Sequence, residues 1–141
     1  MRHSQLYLTV AAIAILGVSN LLASDLKVIA NPSVGAASVS ADEIKGVFLA
    51  TKSSLSDGGH VEPVLLKGGP AHEAFLKEYL GKTDAAFETY YRSLVFTGKA
   101  SMPKTLDGDS DVVAFVAKTK GAIGYVSAGA SIAGVKTLEV K

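Results

Sequence analysis

The chain contains no cysteine, which excludes disulfides, thiolate nucleophiles and cysteine-ligated metals together. It also has almost no charge imbalance: 14 lysines and arginines face 13 acids, for a formal net charge of +1. With no basic stripe along the sequence, that balance argues against a nucleic-acid partner. Catalytic signatures are missing as well. Ser127 in "GYVSAG" and Ser131 in "GASIAG" lack the glycines of a G-x-S-x-G elbow. Neither G-x-x-x-x-G-K-[ST] nor G-x-G-x-x-G occurs. His72-Glu73 opens like H-E-x-x-H, but position 76 is leucine. His60 and His72 alone fall short of the roughly four ligands a zinc ion takes. His72 therefore reads as a solvated histidine at a helix start. The expectation is a protein with no cofactor, no metal and no enzymatic activity.

What is present begins with a leader. "MRHSQ" is short and basic, "LYLTVAAIAILGV" is a 13-residue apolar run, and "SNLLAS" offers Ala23 before a cut. That is the layout of a secretory signal peptide over residues 1–23. A membrane anchor is the alternative, but the run falls short of the roughly 20 residues a span needs. Cleavage near Ala23 removes Arg2 and no acid, leaving a mature chain of zero formal charge with Arg92 as its one arginine. A cysteine-free exported chain of this kind suits a bacterial periplasm.

The remaining residues, 24–141, read as one domain. "LKVIAN" is β-branched and ends at Pro32, a strand entering a turn. "SADE" matches a capping box, with Ser40 as cap and Glu43 reaching back, and predicts a helix over about Ala41–Leu49. "SLSDGGH" is a loop turning at Asp57-Gly58-Gly59, and "HVEPVLLK" a strand in which Pro63 belongs at an edge or an early position. Phe75, Leu76, Tyr79 and Leu80 form one helical face that Gly81 closes. A second helix opens near Thr83 or Asp84 and carries Phe87, Tyr90, Tyr91, Leu94 and Val95 at helical spacing. That stripe reads as core rather than as a stacking platform for a ligand. Arg92 beside it could clamp an anion, but reads as a surface residue paired with a carboxylate. "TGKASMPKTLDGD" reads as a loop. Asp109 or Ser110 then caps a helix, and "AIGYV" and "VKTLEV" form two last strands. The order β-α-β-α-α-α-β-β implies an α/β domain, a mixed sheet with helices packed on it in two or three layers. Its expected buried residues are Ile44, Val47, Phe48, Phe75, Tyr79, Tyr91, Leu94, Phe115 and Ile123.

One stretch could carry chemistry. "LLKGGPAH" runs from a strand through two glycines into a helix whose first N–H groups are unpaired. Lys67 adds charge, Gly68 and Gly69 permit close approach, and Pro70 suits the first helical position. No serine or threonine stands there to donate, so the plain reading is a glycine turn.

Three segments in order resemble the phosphate ABC transporter substrate-binding proteins. They are "NPSVGAASVSADEIKGVFLATKSSLSDGGHVEPV", "FLKEYLGKTDAAFETYYRSLVFTGKASMPK" and "GAIGYV". The resemblance runs from Val28 to Val126 and implies a periplasmic-binding-protein-like α/β fold, as a single lobe similar to the second of the family's two. It further implies phosphate or another small oxyanion as ligand, in uptake or sensing, and a membrane transporter or sensor protein as partner. The family's strand-to-helix turn carries an arginine and a hydroxyl-bearing glycine loop; this chain has Lys67, Gly68, Gly69, Ala71 and His72 there. The expectation is a shallow, open pocket lined by these five residues, with weak or lost anion binding. The rival is a periplasmic module that binds a partner protein and no small ligand.

Overall fold

The computed structural model describes residues 26–57 and 59–141. The expected leader, its expected cut near Ala23, and Gly58 of the Asp57-Gly58-Gly59 turn lie outside the described residues. No described helix is long and apolar enough to cross a membrane.

The elements run β1 (Leu26–Ala30), β2 (Ser38–Val39), α1 (Ala41–Phe48), β3 (Glu62–Leu66) and α2 (Pro70–Phe75). A π-helical turn (Leu76–Leu80) extends α2. Then come α3 (Asp84–Phe96), β4 (Lys104–Leu106), α4 (Asp109–Lys118), β5 (Ala122–Ser127) and β6 (Lys136–Val140). The six strands form one mixed sheet in the order β2-β6-β1-β5-β3-β4. β1 is antiparallel to β5 and β6, while β3 is parallel to β5 and β4.

Consecutive residues of β5 show the layering, because neighbours on a strand face opposite sides of the sheet. A Cβ at Gly124 would meet Val112 at 3.1 Å and Val116 at 3.5 Å, both on α4. Tyr125, the next residue, stacks on Phe75 of α2 with centroids 3.9 Å apart and planes 7° apart. Phe48 of α1 meets both rings edge-on. The sheet therefore lies between α4 and the α1–α2 pair, so of the two architectures expected the three-layer one is found.

Local signals placed most boundaries. The Ser40 hydroxyl accepts the Glu43 N–H at 3.1 Å and a Glu43 oxygen accepts the Ser40 N–H at 3.0 Å, the reciprocal capping box. The bonds from Ser40, then those from Ser56, and the nearby Lys52 hold the Glu43 carboxyl down to about 2. Thr83 caps α3 through Ala86 N–H, and Gly81 closes the preceding helix in the left-handed region. Phe87 and Tyr91 are buried. The Tyr90 and Tyr91 hydroxyls donate to Leu49 and Phe48 carbonyls at 2.7 and 2.6 Å. They satisfy acceptors that the end of α1 would otherwise leave open. Burial and the adjacent Tyr90 push the Tyr91 phenol up to about 12.

Several expectations are corrected. β4 lies inside the segment expected to be a loop, and β2 was not anticipated; each is short and pairs along only one neighbour. Gly108, not Asp109 or Ser110, is the N-cap of α4, because the Asp109 carboxylate is drawn to the Ser127 N–H at 3.1 Å. Pro63, by contrast, sits early in β3 as expected, paired with Ile123 of β5 and ahead of the β4 ladder, which begins at Val64. Tyr79, Leu94 and Phe115 pack against the core yet are only partly buried. For Leu94 the cause is that the buried stripe of α3 ends at Tyr91, and Val95 and Phe96 are exposed.

Candidate functional site

β3 runs into the turn at Leu66, and the Lys67 N–H donates to the Leu106 carbonyl at 2.8 Å, carrying the β3–β4 ladder to the turn. Gly68 and Gly69 are exposed, with nothing within 4 Å of where a Cβ would stand on either. Gly69 has φ +94° and ψ 174°, a conformation that strains any residue with a Cβ. Pro70 follows at the first helical position, the Glu73 N–H bonds back to the Gly69 carbonyl at 3.0 Å, and no side chain caps the helix. The early N–H groups of Ala71 and His72 thus lack the side-chain acceptor that a serine or aspartate cap supplies. The Lys67 ammonium, on a largely exposed side chain, stands 3.8 Å from Asp107.

Beneath this rim the structure is closed. His72 is 3 % exposed, because its ring lies under the turn rather than in solvent; the solvated reading of this histidine is corrected. The ring Nδ1 bonds to the Tyr125 hydroxyl, and Nε2 bonds to Asp84 Oδ1 at 3.0 Å. Tyr125 oxygen also accepts the Leu66 N–H at 3.2 Å. Burial, opposed by the Leu66 bond and assisted by Asp84, raises the Tyr125 phenol well above its ordinary value. The hydroxyl therefore keeps its proton, and the imidazole bridges that hydroxyl to the Asp84 carboxylate, one ring nitrogen bonded to each. This chain of bonds joins the end of β3, the first turn of α2, the middle of β5 and the first turn of α3. Among the described residues no buried side-chain polar atom is left without a partner, so this set of bonds acts as a rigid floor.

The five residues expected to line one pocket divide between these two levels. Lys67, Gly68 and Gly69 form the rim; the side chains of Ala71 and His72 are buried below it. A hollow of about 250 Å³ beside the turn is lined by Lys67 and His72 together with Asp84, Glu88, Met102 and Thr105, among others, but not by Gly68, Gly69 or Ala71. Its two carboxylates make it a poor place for an anion. At the neighbouring helix start, the Asp109 carboxylate already accepts the Ser127 N–H. Among the described residues, no group of three or more His, Asp or Glu side chains could hold a metal.

Sequence reasoning missed Tyr125 and Asp84. The signal for Tyr125 was the phenol in the middle of the apolar "AIGYV", a strand buried on both faces where a hydroxyl needs a partner. Asp84 carried no signal beyond its place at the start of α3.

No protein-family model matches the sequence, and no curated protein does. Solved structures do match. One, from Clostridium perfringens, is described as a phosphate ABC transporter substrate-binding protein with bound phosphate. It shares 14 % identity at a TM-score of 0.61, over 82 % of this chain and 44 % of that one. An ABC-type phosphate transport receptor from Vibrio cholerae shares 13 % at 0.54, over 82 % and 46 %. PstS from Borrelia burgdorferi shares 10 % at 0.55, over 83 % and 47 %. The likeness establishes the fold. It is a periplasmic-binding-protein-like α/β fold, and the chain spans less than half the length of these neighbours.

Proposed function

We propose that residues 24–141 form an exported, non-enzymatic binding module that takes phosphate or a related oxyanion weakly at the turn from Lys67 to His72, in uptake or sensing. The carrying observation is the turn itself: an exposed, uncapped helix start at a positive-φ glycine, held from below by the bonded floor of His72, Tyr125 and Asp84. The likeness to phosphate-binding structures supports the same reading. In it, backbone N–H groups of Ala71 and His72 donate to the anion, Lys67 adds charge from the rim, and Gly68 and Gly69 allow the approach. The His72 side chain supports the turn and does not reach the ligand, since both ring nitrogens are engaged. Affinity is low for three reasons. α2 is short, no hydroxyl or arginine grips the anion, and an open rim leaves the charge in water, where each bond is worth little. A membrane transporter or sensor in the periplasm is the partner this reading requires.

The rival reading is a protein-binding module without a small ligand. It is favoured by the acidic surroundings of the turn, where Asp107 faces Lys67 and Asp84 and Glu88 line the adjacent hollow. Calorimetry with phosphate, and with sulfate as a control whose charge is constant near neutrality, separates the two. The anion reading expects millimolar binding, about 4 kcal/mol, abolished by Gly69→Asp. Absence of binding at tens of millimolar anion leaves the rival.

A further inference from the structure

We draw no further inference here: the strongest candidate, the hollow of about 520 Å³ between the end of α1 and the start of β3, mixes Lys52 and His60 with Glu62 on an exposed rim, and nothing in the structure shows what fills it.

Discussion

The rim and the floor of the Lys67–His72 turn are a few ångströms apart and are built on opposite principles. The floor is buried except for the half-exposed Asp84, and its phenol, imidazole, carboxylate and backbone N–H are bonded to one another across four elements. The rim is exposed glycine with open space around it and one lysine on a loose surface pair. The floor decides whether the turn has its shape, and the rim decides whether anything binds there. A site can be held rigidly and still grip weakly, since rigidity and ligand contacts come from different residues.

If that division is right, substitutions should sort by level. His72→Ala removes a buried ring and leaves the Tyr125 hydroxyl without its ring partner; it should cost about 3 kcal/mol of stability, read by urea denaturation. Tyr125→Phe keeps the stack on Phe75 but orphans the Leu66 N–H and His72 Nδ1. It should cost about 2 kcal/mol, with the amides of Leu66 and Lys67 losing protection from hydrogen exchange. On the rim, Gly69→Ala should cost about 1–2 kcal/mol through backbone strain at φ +94° alone. Gly68→Ala, with no such φ and open space, should stay within about 0.5 kcal/mol. A floor as tolerant as Gly68 would break the comparison.

The capping box of α1, remote from both levels, calibrates the scale. Ser40→Ala should cost about 1 kcal/mol. The Glu43 carboxyl lies near 2 in the folded chain against an ordinary value of 4.5. Its contribution is therefore complete above about 4.5 and is lost as pH falls from there toward 2. Acid titration of wild type should show that loss. In Ser40→Ala, which keeps the Ser40 N–H and the Ser56 bonds to Glu43, the loss should persist.

Local features were legible in the sequence because their physics is local. Ser40 and Glu43 are three residues apart, Thr83 caps its own helix, and Gly81 ends one, so composition alone finds them. The alternation of patterns gave the mixed sheet with packed helices, although β4 escaped it. Lys104–Leu106 is strand only because β3 offers an edge, and three residues carry no periodicity. The rim was legible as well: two glycines and a proline between a strand and a helix announce an uncapped turn. The floor was not. His72 meets Tyr125 across 53 residues and Asp84 across 12, and no spacing rule connects them. A histidine after a glycine turn reads as solvated until a phenol from β5 is known to lie beneath it. Phe96 was hidden similarly, because the helical stripe through Val95 gives no sign that burial stops at Tyr91.

On the proposed reading, the turn binds an oxyanion weakly through its backbone over an unyielding floor. Amide chemical shifts followed by NMR during a phosphate titration test it most directly. Weak backbone binding should give saturable shifts at Gly68, Gly69, Ala71 and His72 with a millimolar midpoint, while the Leu66 amide and the His72 ring resonances stay fixed. Shifts centred elsewhere, a micromolar midpoint, or movement of the His72 ring on binding would contradict it.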